Sequence, residues 1–96
     1  MSDSQSVRVA VVQAGAVPFD SEGAVDKVCA MTEEAGAGGA QLVLFPEAFV
    51  GGYPWGLSFG TAVGGRTEAG RRMWERYWSS SIPVPGPAVE RMGEAA

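Results

Sequence analysis

The chain holds one cysteine, one lysine and no histidine, so few of its side chains could carry covalent chemistry. The most informative is Glu47. It follows the apolar run Gln41-Leu42-Val43-Leu44-Phe45, stands directly after Pro46, and has Phe45, Ala48 and Phe49 as apolar neighbours. A carboxylate set there is expected to be partly desolvated, which makes it a stronger base and suits it to general-base work. The plainer reading is a glutamate that caps a helix or meets a buried arginine. Cys29 falls on the helical stripe Val25, Val28, Cys29, Thr32, which should face the core. A thiol in apolar surroundings with no histidine to activate it is inert, so Cys29 reads as packing. Lys27 adjoins Asp26, and a solvated surface role is expected of it.

Other chemistries are excluded by composition. A Cys/His zinc site and a disulfide framework both need residues this chain lacks. The first turn, Gln13-Ala14-Gly15-Ala16-Val17-Pro18, offers one glycine and then a proline, so a dinucleotide or phosphate cradle is unsupported. The net charge of −4 and the absence of a basic cluster argue against nucleic-acid binding. No apolar run approaches the roughly 18 residues that would span a bilayer.

The elements that would position Glu47 follow from hydrophobic periodicity. Val7-Arg8-Val9-Ala10-Val11-Val12-Gln13 reads as a strand buried on both faces of an α/β sheet. Asp20 or Ser21 is a plausible N-cap for a helix that the glycines at 36, 38 and 39 end. The run 41–45 is a second buried strand, and the intervening length suits a parallel, right-handed crossover. The opening is therefore a βαβ unit, with Glu47 at the carboxyl end of the second strand, where open α/β sheets place ligands. A Gly/Pro-rich loop continues to residue 66. A second helix begins at Thr67 and carries an aromatic stripe, Met73, Trp74, Tyr77 and Trp78, suited to core or interface packing. A proline-rich linker over 79–87 precedes a third helix from Ala88, with Ala88, Val89 and Met92 on one face.

With 96 residues, 46% of them hydrophobic and 19% charged, the chain suits one small soluble domain. Residues 1–6 are polar and acidic, are expected to be disordered, and lack the features of a signal peptide; a cytoplasmic, reducing location is the default. Two parallel strands and their helices cannot close a layered core. Residues 7–96 are thus expected to be the N-terminal part of a larger α/β domain.

The stretch Leu42-Val43-Leu44-Phe45-Pro46-Glu47-Ala48-Phe49-Val50-Gly51-Gly52-Tyr53-Pro54 resembles the N-terminal active-site segment of the nitrilases, in the carbon–nitrogen hydrolase superfamily. Val7–Ala14, Phe59-Gly60, Val63-Gly64, Arg66-Thr67, Arg76-Tyr77-Trp78 and Val84-Pro85-Gly86-Pro87 are similar to the same family, so the likeness runs from about residue 7 to 96. The Phe-Pro-Glu element marks the superfamily, while Gly-Gly-Tyr-Pro and the aromatic helix point to the nitrile-hydrolysing branch. The resemblance implies an α-β-β-α sandwich, a Glu-Lys-Cys catalytic set, no metal or organic cofactor, a small-molecule nitrile substrate and homo-oligomers. Only the glutamate maps onto this chain, as Glu47. The family's lysine and cysteine lie downstream of Ala96, and neither Lys27 nor Cys29 can take those roles. Tyr53 and Phe49 are implied as substrate-lining residues. Trp55 stands where many relatives carry a basic residue. An amidase of the same superfamily, or an inactive fragment with a structural role, remains as the alternative.

Overall fold

Strand, helix, strand, helix, helix is the order of elements. A computed structural model of the chain describes residues 5–52 and 68–96. The elements are β1 (Val9–Val11), α1 (Ser21–Ala37), β2 (Leu42–Leu44), α2 (Glu68–Ser79) and α3 (Pro87–Ala95). β1 and β2 pair in parallel, with Val9 opposite Leu42, Ala10 opposite Val43 and Val11 opposite Leu44. The pairing extends past both ends: the Gln41 N–H donates to the Arg8 carbonyl at 2.8 Å, and the Val12 N–H donates to the Leu44 carbonyl at 2.8 Å. The expected parallel βαβ unit is present.

The boundaries of α1 have local causes. Asp20 is the N-cap, and its Oδ1 accepts from the Gly23 N–H at 2.9 Å, satisfying one of the donors a helix start leaves free. Glu22 in the first turn complements the helix dipole. At the other end the chain turns through Gly39, whose φ of +96° suits glycine, and the Ala40 N–H donates to the Ala35 carbonyl at 3.0 Å. In α3, Pro87 occupies the first turn, where its missing N–H costs no helical hydrogen bond.

The two strands differ from expectation in length and burial. They are shorter than the runs 7–13 and 41–45, because only the three paired residues of each form a ladder. They are not buried on both faces. Val9, Val11, Leu42 and Leu44 share one face, and it is open: Val11 is 69% exposed and Leu44 58%. Ala10 and Val43, on the opposite face, are half-buried. Among the described residues the latter side of the sheet is thus the better covered of the two. Full burial of each such aliphatic side chain is worth about 1.5–3 kcal/mol, so the open face forgoes several kcal/mol.

The buried apolar side chains among the described residues are Ala24, Val25, Val28 and Phe49. Val25 and Val28 lie on the stripe read from the sequence, whereas Cys29 and Thr32 are half-buried. The α1–α3 contact carries a surface ion pair, Arg91 Nη2 to Asp26 Oδ1 at 2.7 Å. That hydrogen bond, reinforced by the carboxylate's charge, raises the Arg91 pKa above its already high ordinary value. On α2, Trp78 is 70% exposed and Trp74 is also exposed, whereas Met73 and Tyr77 of the same stripe are half-buried. The α-carbon radius of gyration, 17.2 Å, exceeds the roughly 12–13 Å of a compact domain of this length, in keeping with so small a core.

Replacing Asp20 by Ala is expected to destabilise the fold by about 1 kcal/mol through loss of the α1 cap, and by Asn by much less. Urea unfolding followed by circular dichroism measures both. Equal stability of Asp20→Ala and the parent would refute the capping role.

Candidate active site

A parallel pair sends both of its following loops to the same edge of the sheet. Here they meet. After β1 the chain runs through Gly15 and Pro18 to the cap of α1; after β2 it runs through Pro46 into a turn over residues 47–51. The turn is closed by the Gly52 N–H, which donates to the Ala48 carbonyl at 2.8 Å. Ala48 holds a φ of 56°, a left-handed conformation that costs a residue with a Cβ about 1–2 kcal/mol. Strain of this kind persists only where the surroundings over-determine it.

The surroundings here are specific. Gly52 has a φ of 73°, and a Cβ there would lie 3.0 Å from the Pro18 Cα, so the two loop backbones touch at this glycine. Phe49, next after Ala48, turns inward to 5% exposure, and its ring centroid lies 5.4 Å from that of Phe45. Lys27 reaches up from α1, donating to the Gly15 carbonyl at 2.5 Å with its Nζ 5.9 Å from the Phe49 ring centroid. From α2, the Arg76 guanidinium sits 4.3 Å over the ring of Phe19, itself at a φ of 59°. The Tyr77 hydroxyl would lie 3.7 Å from a Cβ at Gly51.

Glu47 opens this turn and is exposed. The expected partial desolvation is not seen. The reason is local: the turn buries Phe49 and leaves Glu47 exposed. Among the described residues, neither a helix N-terminus nor an arginine pairs with the Glu47 carboxylate, so the two plainer roles have no support there. The carboxylate is available to act on something that approaches from outside.

The other reactive side chains lie elsewhere. Cys29 is a free, half-buried thiol whose Sγ donates to the Arg91 carbonyl at 3.6 Å, which commits it to the α1–α3 contact. Lys27 corrects its expected role: it is half-buried and bound to Gly15, not free on a solvated face. Its position could have been read from spacing, since residue 27 stands three places after buried Ala24 and one before buried Val28. Tyr53 and Trp55 lie outside the described residues. Among the described residues there is no group of three or more His, Cys, Asp or Glu that could hold a metal ion, and no helix long and apolar enough to cross a membrane.

Comparison with known proteins decides the family. Residues 8–96 match the carbon–nitrogen hydrolases. The chain belongs to this family. Among its relatives, nitrilase 3 of Arabidopsis thaliana is 50% identical over 97% of the chain. A bifunctional nitrilase/nitrile hydratase of Nicotiana tabacum is 45% identical over 99% of it. An aliphatic nitrilase of Sinorhizobium fredii is 45% identical over 93%. The chain spans only 27% of the length of the first two and 29% of the third. The part of these nitrilases that it matches is their N-terminal segment.

Gly52→Ala is expected to destabilise this carbon–nitrogen hydrolase by about 1–2 kcal/mol from its positive φ alone, with the Pro18 contact adding to it. Gly51→Ala, which meets Tyr77 at ordinary van der Waals distance, is expected to cost less. Thermal melts of the two variants give the comparison; the reverse order would contradict the close approach.

Proposed function

We propose that this chain is the N-terminal portion of a nitrilase that converts an organic nitrile and water to a carboxylic acid and ammonia, with Glu47 as its general base. The reading is carried by an exposed carboxylate just past the carboxyl end of a parallel strand, within a segment about half identical to nitrilases. Glu47 takes the proton from a cysteine thiol, and the thiolate attacks the nitrile carbon to give a thioimidate. Glu47 then activates water; ammonia leaves, and the resulting thioester is hydrolysed by a second water to the acid. A lysine stabilises the charged tetrahedral species. Lysine and nucleophile both come from sequence beyond Ala96. No metal or organic cofactor enters the proposed mechanism.

Tyr53 and Phe49 are the proposed substrate-lining residues. The burial of Phe49 makes its part that of a wall beneath the turn rather than a surface the substrate covers. The open face of the sheet, Val9, Val11, Leu42 and Leu44, is proposed to be the inner face of an α-β-β-α sandwich completed by later strands, which would also supply the water-excluding cover that Glu47 lacks here. The exposed Trp74 and Trp78 on α2 suit a contact between copies in a homo-oligomer. A cytoplasmic location fits a free thiol and a thiol mechanism.

The names of several relatives pair nitrilase with nitrile hydratase activity, which favours release of some amide as a second product. An amidase of the same family would share Glu47 and the thiol, and turnover of matched amides but not nitriles would select it.

In the full-length protein, Glu47→Gln is expected to lower turnover of a nitrile by at least about 100-fold while leaving the melting temperature nearly unchanged. Near-normal activity would remove Glu47 from the mechanism. Cys29→Ala is expected to retain activity and to cost at most about 2 kcal/mol of stability. Complete inactivation of a folded Cys29→Ala protein would overturn the assignment of that thiol to packing.

A further inference from the structure

Lys27 has an acidic neighbour in Asp26 and does not use it. Asp26 is taken by Arg91 at 2.7 Å, across the α1–α3 contact. The Lys27 side chain instead crosses to the loop edge of the sheet. There its Nζ makes a short, charge-assisted hydrogen bond of 2.5 Å to the Gly15 carbonyl and stands 5.9 Å from the Phe49 ring centroid, at the outer limit of a cation–π contact. One side chain thus joins three segments: the middle of α1, the loop after β1, and the turn after β2.

The turn it holds is the one that starts at Glu47. Phe49 is two residues on, and between them Ala48 keeps a left-handed backbone that alanine rarely adopts. Phe49 is buried with Phe45 beneath it and the lysine beside it, so its ring is the anchor from which Ala48 and Glu47 are aimed. The Gly52–Pro18 approach holds the far end of the same turn, but through close packing with no hydrogen bond or charge. We infer that Lys27 is a positioning residue for the reaction: by tying the Gly15 loop to Phe49, it fixes the direction in which the Glu47 carboxylate points. This rests on the reading of Glu47 as general base. A misaimed base lowers the chemical step more than it lowers substrate binding, since the lysine touches neither substrate nor reacting atoms.

The test uses the full-length protein and a nitrile that it hydrolyses. Lys27→Met keeps the length of the side chain and removes the donor and the charge; Lys27→Arg keeps both. The expected result is a fall in kcat of about ten-fold for Lys27→Met with KM changed by less than about two-fold, and recovery by Lys27→Arg to within about three-fold of the parent. A general weakening of the fold would not give a kcat loss confined to one of two variants with equal melting temperatures. The inference is overturned if folded Lys27→Met keeps the parental kcat, if KM rises instead, or if Lys27→Arg is as impaired as Lys27→Met. Should Lys27→Met fail to fold, Lys27→Gln takes its place in the same comparison with Lys27→Arg, with the same outcomes deciding. Glu47→Gln separates the two claims. If it stays active the base assignment fails, however the Lys27 variants behave. If it is inactive while Lys27→Met is unimpaired, the base assignment stands and only the positioning role is lost.

Discussion

The constraint on which the rest depends is the parallel pairing of two very short strands. Three residues from each side make the ladder, and its register is fixed by hydrogen bonds at both ends, from the Gln41 N–H to the Arg8 carbonyl and from the Val12 N–H to the Leu44 carbonyl. Because the strands run the same way, both following loops leave at one edge, and the helix between them must travel back along the sheet. That geometry alone brings Gly15, Pro18, Glu47, Phe49 and Gly52 into one neighbourhood, although up to 37 positions separate them in sequence. An antiparallel pairing would have sent the two loops to opposite ends.

Within that neighbourhood, order comes from contacts that are individually modest. A cation over an aromatic ring at an exposed site contributes on the order of 0.5–1 kcal/mol. One left-handed alanine costs about as much or more. Glu47 is held because several such contacts act on one short turn. Lys27 and Phe45 meet Phe49, Pro18 meets Gly52, and Tyr77 lies against Gly51. Strain at Ala48 and an accessible carboxylate beside it form a pairing often found where a protein acts on another molecule.

Much of this was legible in the sequence. Cap, termination and length of α1 follow from Asp20, the spacing of Val25 and Val28, and the glycines after residue 35. The βαβ order follows from two Val/Leu runs separated by a helical period. The place of Glu47 at a strand's carboxyl end follows from Pro46 and the strand before it. What sequence patterning misjudged was burial. A continuous apolar run states that a strand wants cover on both faces, and says nothing about whether the same stretch of chain provides it; for Val9, Val11, Leu42 and Leu44 it does not. The exposure of Glu47 was missed for a related reason. Its apolar neighbours imply a dry setting only if they fold over it, and Phe49 folds away beneath. The lysine clamp escaped because a charged residue beside an opposite charge suggests a local pair, whereas Asp26 is claimed by Arg91 from a helix more than 60 positions later.

The bare stripe of valines and leucines has a consequence for biosynthesis. In a nitrilase of the relatives' length, this segment would leave the ribosome well before any later strand could lie against it, and synthesis at roughly 5–20 residues per second makes that wait many seconds long. Through that interval the nascent chain would present a sticky ribbon with two strands among the described residues, and open sheet edges are the kind of surface that recruits chaperones or seeds aggregates. How well such an enzyme is produced in a cell would then be governed less by its finished stability than by how quickly the remaining strands arrive.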